Sequence, residues 1–167
     1  MKTLEKEANK RPAKFANAVK QEFIVTRYHE SYDPDVTRLC KAFSDESLKE
    51  YGLAVEADRL MEMTDVCKGV SFFLKVDNKV VGLIAGMEVK NLTNGKLALQ
   101  EVVWYVDKEH RANGRILLQY FEEAAKNMGA SCVVMGLMCN SGMDKLDKFY
   151  KRMGYKPFEI QYMKEIT

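Results

Sequence analysis

A short run of residues, Arg111 to Ile116, has the composition of an anion-binding loop. The run follows an apolar segment, carries a full positive charge at Arg111, and has Gly114 at the point where a helical pattern begins. The first N–H groups of a helix lack partners and carry partial positive charge, and glycine lets the backbone approach an anion closely. The run could therefore hold a phosphate or diphosphate. An ordinary strand–helix connection with a solvated arginine fits the same residues.

A single carboxylate, Glu101, interrupts the apolar segment that precedes this loop. Residues 97–106 are otherwise mostly apolar on both faces, as in a central strand that is covered on two sides. Simple alternation would place Glu101 on one face together with Leu99 and Val103. Apolar surroundings raise the pKa of a carboxyl group, which would suit a base that works near neutral pH. Alternatively, Glu101 reaches solvent or pairs with a lysine.

The segments around this strand and loop predict one mixed domain of the α/β (α+β) class. Three strands joined by short turns should form an antiparallel meander that ends in the strand 97–106, with Asn94-Gly95 as the last turn. A strand–helix–strand crossover should then add a parallel strand. The pattern predicts a mostly antiparallel sheet of about six strands with helices on both faces. The predicted strands cover residues 22–28, 70–76, 80–89, 97–106, 131–139 and 155–166, and the predicted helices begin near residues 33, 55, 114 and 143.

Composition favours a soluble globular protein without a metal centre. The 167 residues suit one domain, and the net charge is only +2. The four cysteines lack the spacing of a zinc site and resemble the reduced thiols of a cytosolic protein. The amino terminus has no apolar signal core, and the longest apolar run is too short to span a bilayer. We therefore expect a cytoplasmic location and no membrane partner.

The amino-terminal residues differ from the rest of the chain in charge. Residues 1–20 carry six lysine or arginine side chains against two glutamates, so their net charge is +4. We interpret them as a basic extension of a domain that covers residues 21–167. The extension could contact nucleic acid or an acidic partner. The alternative, a solvated extension or a short helix on the domain, is the more common behaviour of a charged run.

Two motifs, together with the element order, resemble the GNAT-type N-acetyltransferases. Val106, Arg111 and Gly114 match the family pattern of a strand, a short loop and Arg/Gln-x-x-Gly-x-Gly/Ala, whereas Lys108 and Ile116 depart from it. Residues 149–155 match the family ending Phe-Tyr-x-x-x-Gly-Phe/Tyr. The resemblance covers residues 22–166 and implies the GNAT fold.

The resemblance also implies roles for individual residues. Glu101 would be the general base and Tyr150 the general acid. The co-substrate would be acetyl-coenzyme A, with no metal. Asn140 resembles the asparagine that contacts the coenzyme arm. The backbone of Trp104, Tyr105 and Val106 would pair with the same arm, and the backbone of Arg111, Ala112, Asn113, Gly114, Arg115 and Ile116 would hold the diphosphate.

The expected function is an acetyl-coenzyme A-dependent N-acetyltransferase that acts on a primary amine of a small molecule, peptide or protein. One alternative is a catalytically inactive binding or structural protein with the same fold, because Ile116 adds bulk to the diphosphate loop. Another is an acetyltransferase that acts on a nucleic-acid-linked amine through the basic extension. A homodimer would be consistent with the family. The sequence does not specify the acceptor.

Overall fold

The structure is a computed structural model that describes residues 23–53, 56, 59, 62, 66–92, 94–140, 142–164 and 166. The basic extension, residues 1–20, and most of the predicted second helix lie outside the described residues.

A five-stranded mixed sheet forms the centre of the domain, which agrees with the prediction of a mostly antiparallel sheet of about six strands. The strands follow one another in sequence order, and the first four are antiparallel. The fifth strand is parallel to the fourth, because a helix connects them. The strands are β1 (Phe23–Arg27), β2 (Ser71–Val76), β3 (Lys79–Lys90), β4 (Leu97–Val106) and β5 (Cys132–Val134).

Helices cover both faces of the sheet. They are α1 (Asp33–Phe43), α2 (Gly114–Asn127) and α3 (Met143–Arg152). On one face, Phe121 of α2 packs in a core with Leu99 of β4, and on the other face Leu39 of α1 packs with Val103. Short helical turns connect the larger elements: Glu30–Tyr32, a π-helical turn at Ser44–Leu48, Lys49–Tyr51, Lys68–Val70 and Lys108–Asn113.

A β-bulge interrupts β4 next to Glu101. The register with β3 shifts between Ala85, which faces Val103, and Gly86, which faces Glu101, so β4 has one extra residue here. The bulge reverses the alternation of side chains. Leu99 therefore packs in the α2 core and Val103 in the α1 core. The expectation that Glu101 shares one face with both residues was wrong for this reason.

The segment that begins at Tyr155 does not extend the sheet. No strand is assigned to any described residue from Tyr155 onward, although this segment was predicted to close the sheet. Phe158, Ile160 and Tyr162 are 82%, 76% and 93% exposed, so the described part of the domain covers little of these alternating apolar side chains. β5 consequently forms the edge of the sheet.

Candidate active site

β4 and β5 pair over a short distance and then separate. Their register runs from Ala98 opposite Cys132 to Gln100 opposite Val134. β4 continues to Val106, and its other side remains paired with β3. We call the resulting opening the β4–β5 cleft; it is bounded by residues 101–106 of β4 and residues 135–140 after β5. Since the backbone groups of a strand edge can pair with an extended chain, the cleft is suited to bind an extended ligand.

Glu101 and Tyr150 meet at one backbone residue at the inner end of this cleft. The N–H of Gly136 donates to Oε2 of Glu101 over 2.9 Å, and the hydroxyl of Tyr150 donates to the carbonyl oxygen of Gly136 over 3.1 Å. A Cβ atom on Gly136 would lie 3.1 Å from Oε2 of Glu101, so this junction leaves little room for a side chain. The two residues that sequence reasoning proposed as base and acid are thus brought together.

The surroundings shift the pKa values of both groups upward. Burial raises the pKa of Glu101 to about 7, and the hydrogen bond from Gly136 opposes this shift only in part. Burial also raises the pKa of Tyr150 well above its usual value, and the nearby charge of Glu101 adds to the increase. Near neutral pH, Glu101 can therefore accept a proton while Tyr150 still retains one.

An aromatic cluster holds the Tyr150 ring in place. The ring is 8% exposed, and its centroid lies 6.1 Å from that of Trp104, 6.0 Å from Phe149 and 5.5 Å from Tyr155. Tyr150 is therefore a core aromatic whose hydroxyl reaches the cleft. Nε1 of Trp104 is buried and has no hydrogen-bond partner among the described residues.

The predicted anion-binding loop begins α2, as expected. Gly114 is the first residue of the helix, and the helix amino terminus has no hydrogen bond from a capping side chain. A Cβ on Gly114 would lie 3.4 Å from Trp104 and 3.5 Å from Val106, so the glycine is closely surrounded. The N–H of Gly114 already donates to the carbonyl oxygen of Arg111 in the preceding helical turn, so a bound diphosphate would depend mainly on the N–H groups that follow Gly114. Ala112 and Arg115 are exposed, and Asn113 and Ile116 are partly buried.

The side chain of Arg111 already has partners within the protein. Its guanidinium donates to Oε2 of Glu46 over 2.5 Å, and its Nε donates to the carbonyl oxygen of Val106 over 3.3 Å. The guanidinium also lies over the ring of Tyr105, 5.8 Å from the centroid. A ligand anion would therefore compete with Glu46 for this cation.

Asn140 lies in the loop on the other side of the cleft. Its Oδ1 accepts a hydrogen bond from the N–H of Gly142 over 3.0 Å, which forms a turn just before α3. The same loop accepts a hydrogen bond from Tyr51, whose hydroxyl lies 2.5 Å from the carbonyl oxygen of Cys139. Asn140 and the diphosphate loop are thus on opposite banks of the cleft.

Sequence reasoning missed Glu46 and Tyr51. Both belong to the helical turns after α1, a segment that was interpreted as a break between helices. Glu46 is 65 residues away from Arg111 in the chain, and Tyr51 is 88 residues away from Cys139. An isolated exposed glutamate or tyrosine gives no signal of such distant partners.

The described residues contain no helix that is long and apolar enough to cross a membrane. Within the same residues, no group of three or more histidine, cysteine, aspartate or glutamate side chains is arranged to hold a metal ion.

Comparisons with known proteins assign this architecture. The sequence profile of the acetyltransferase (GNAT) family matches residues 26–155, and the chain belongs to that family. A search of curated protein sequences found no match.

Solved structures agree with this fold at low sequence identity. A ribosomal-protein-alanine N-acetyltransferase from Brucella melitensis biovar Abortus is 15% identical, with a TM-score of 0.69 over 87% of this chain and 100% of that one. A glucosamine-6-phosphate N-acetyltransferase from Arabidopsis thaliana is 19% identical, with a TM-score of 0.62 over 88% and 100%. AAC(6')-Iy, in complex with the bisubstrate analogue CoA-S-monomethyl-acetylneamine, is 13% identical, with a TM-score of 0.69 over 87% and 99%.

Proposed function

We propose that this protein transfers the acetyl group of acetyl-coenzyme A to a primary amine of a small molecule, peptide or protein. The observation that carries the proposal is the junction at Gly136, where a carboxylate with a raised pKa and a protonated tyrosine hydroxyl adjoin one open cleft. Membership of the acetyltransferase (GNAT) family supports the reaction class. A complex with a coenzyme A bisubstrate analogue among the similar structures supports the choice of co-substrate.

Three parts of the cleft would hold acetyl-coenzyme A. The open edge of β4 from Trp104 to Val106 would pair with the amide groups of the pantetheine arm. Backbone N–H groups between Arg111 and Ile116 would hold the diphosphate at the amino terminus of α2. Asn140 would contact the arm from the opposite bank. The bound co-substrate supplies a thioester, and the amine attacks its carbonyl carbon.

Glu101 would act as the general base. An unperturbed lysine-like amine has a pKa of about 10.4, so it must lose a proton before or during attack. Oε1 or Oε2 of Glu101 would take this proton, directly or through one water molecule. The raised pKa of Glu101, about 7, suits this transfer because the carboxylate is basic enough to hold a proton yet ionised in a useful fraction at neutral pH.

Tyr150 would act as the general acid. When the carbon–sulfur bond breaks, the departing thiolate needs a proton, which the Tyr150 hydroxyl would donate. The hydroxyl would exchange its bond to Gly136 for one to the sulfur. Its raised pKa keeps the hydroxyl protonated at neutral pH. When Glu101 takes the proton of the amine, the charge that contributes to the raise disappears, so the hydroxyl becomes a stronger acid as the thiolate departs.

Calorimetric titration with acetyl-coenzyme A tests the proposal first. We expect micromolar binding, followed by acetylation of at least one member of an amine panel that includes aminosugars, polyamines and peptide amino termini. Mass spectrometry should show a gain of one acetyl group on the acceptor and release of one free coenzyme A thiol. Absence of binding at millimolar acetyl-coenzyme A would contradict the proposal.

One observation favours a second candidate, a binding protein of the same fold without catalytic activity. Arg111 is engaged by Glu46, and Ile116 adds bulk in the first turn of α2. If these features close the diphosphate loop, the protein should not bind acetyl-coenzyme A. The same titration therefore separates the two candidates.

A further inference from the structure

The segment that follows α1 crosses from one bank of the β4–β5 cleft to the other. It comprises residues 44–51, a π-helical turn followed by a short helical turn, and we call it the strap. Near its start, Glu46 contacts the loop between β4 and α2. At its end, the hydroxyl of Tyr51 donates a hydrogen bond to the carbonyl oxygen of Cys139 in the loop after β5. The strap is thus tied to both banks.

Glu46 is the more extensively connected end of the strap. Its Oε1 accepts from the hydroxyl of Tyr105 over 2.8 Å and lies 3.4 Å from Nζ of Lys108, while its Oε2 accepts from Arg111. Partial desolvation works against ionisation, but the hydrogen bonds from Tyr105 and Arg111 outweigh it and lower the pKa of Glu46. The carboxylate is therefore charged at neutral pH and neutralises the cation of the loop.

Tyr51 makes a different kind of contact at the other end. Its hydroxyl donates to the backbone carbonyl of Cys139 at an exposed position, and the side chain of Glu50 on the strap itself also interacts with it. A neutral hydrogen bond at an exposed position stabilises only weakly, because water competes for both of its partners. The strap is therefore attached by several polar contacts at Glu46 and by a weaker contact at Tyr51, and the pairing of β4 with β5 involves neither attachment.

We propose that Glu46 is a positioning residue that occupies Arg111 in the free protein, so that an entering diphosphate must displace the carboxylate from Arg111 and thereby loosen the strap at the β4 bank. This inference rests on the proposed function. The guanidinium of Arg111 can pair either with the carboxylate of Glu46 or with the incoming diphosphate. Because the guanidinium is exposed, both anions can reach it. Removing the charge of Glu46 should therefore favour the ligand anion and loosen the strap.

The test compares Glu46→Gln with the matched control Asp45→Asn. Both substitutions remove one exposed carboxylate from the same turn, but none of the described contacts of Arg111 involves Asp45. Calorimetry with coenzyme A should give a two- to fivefold lower Kd for Glu46→Gln than for Asp45→Asn at low salt, as expected for an exposed ion pair. The difference should shrink as ionic strength rises. Equal Kd values, or weaker binding by Glu46→Gln, would contradict the proposal that the diphosphate displaces the carboxylate of Glu46.

Hydrogen exchange of the ligand-free protein tests the strap without any coenzyme. Exchange of backbone amides in residues 44–51 should be faster in Glu46→Gln and in Tyr51→Phe than in Asp45→Asn or the unchanged protein. Unaltered exchange in both variants would contradict the inference that Glu46 and Tyr51 hold the strap in place. If none of the proteins binds coenzyme A, the proposed function and the displacement fail together, while faster exchange would still support a strap tied at both ends.

Discussion

The two ends of the β4–β5 cleft hold their functional groups in different ways. At the inner end, Glu101 and Tyr150 both bond to the backbone of Gly136, and no cation pairs with the carboxylate in the described contacts. At the outer end, Arg111 is held by the exposed carboxylate of Glu46. Burial sets the pKa values of the groups at the inner end, whereas the attraction between opposite charges holds the groups at the outer end.

This difference determines which solution variable acts on each end. Burial changes the pKa of Glu101 and Tyr150, so the inner end should respond to pH and little to salt. Exposed charges are screened within about 8 Å at physiological ionic strength, so the outer end should respond to salt. An enzyme built in this way could change its affinity for an anionic co-substrate without changing the proton transfers of its chemical step.

The largest expected effect is the loss of the Tyr150 hydroxyl. Tyr150→Phe should lower kcat by about 10²- to 10⁴-fold, the usual contribution of general acid catalysis, with little change in acetyl-coenzyme A affinity. Steady-state kinetics and calorimetry measure the two quantities. Tyr155→Phe is a matched control, because its hydroxyl bonds to Glu122 and not to Gly136. Equal turnover in the two variants would remove Tyr150 from the mechanism.

Glu101 should make both activity and stability depend on pH. Because the base must be ionised, kcat/KM should rise with pH until about pH 7 and then level off, and Glu101→Gln should lose this inflection. An inflection that survives the substitution would assign it to another group.

The sign of the stability effect follows from the same shift. The folded-state pKa of about 7 exceeds the ordinary value of 4.5, so the folded protein holds the proton more tightly. The stabilisation is complete below about pH 4.5 and is lost as pH rises through 7. Relative to Glu101→Gln, the free energy of unfolding should therefore fall by roughly 3 kcal/mol across this window, which denaturant titrations at pH 4 and 8 can measure.

Gly86 should be the residue that maintains the bulge beside Glu101. A Cβ at this position would collide with the carbonyl oxygen of Gln100 and would lie 2.5 Å from the ring of Phe121. Gly86→Ala should therefore lower the free energy of unfolding by about 1–3 kcal/mol. Gly82→Ala is a milder control in the same strand, because its nearest contact is a side-chain atom of Val106 at 3.0 Å. A smaller loss of unfolding free energy for Gly86→Ala than for Gly82→Ala would mean that β4 can shift to accommodate the added methyl group.

Local patterns in the sequence were enough to predict the order of β1 to β5 and of the helices α1 to α3. The strand that ends at Val106, the loop and the helix that begins at Gly114 are adjacent in the chain, and their periodicities are strong. The same patterns led to Glu101 and Tyr150 as candidate site residues, because one is a charge in an apolar strand and the other lies in a family motif. The structure then showed that the two meet at Gly136.

The features that were not predicted depend on partners far away in the chain. The bulge in β4 lies opposite Gly86, where a side chain would collide with Phe121, and no pattern within β4 encodes it. The strand expected from Tyr155 onward has suitable alternation, but alternation does not supply a neighbour with which to pair. The contact between Glu46 and Arg111 likewise depends on how the turn after α1 is placed against the loop.

The smallest expected effect is the stability contributed by the outer end. The side chains of Arg111 and Glu46 are 50% and 31% exposed, and ion pairs of this kind usually contribute 0.2–1 kcal/mol. A double-mutant cycle with Arg111→Gln and Glu46→Gln, followed by denaturant unfolding at low and high salt, should give a coupling energy of about that size that salt diminishes. Salt should leave the stability loss of Gly86→Ala unchanged. A large, salt-insensitive coupling between Arg111 and Glu46 would mean that this pair is a fixed part of the fold, and the contrast between the two ends of the cleft would then disappear.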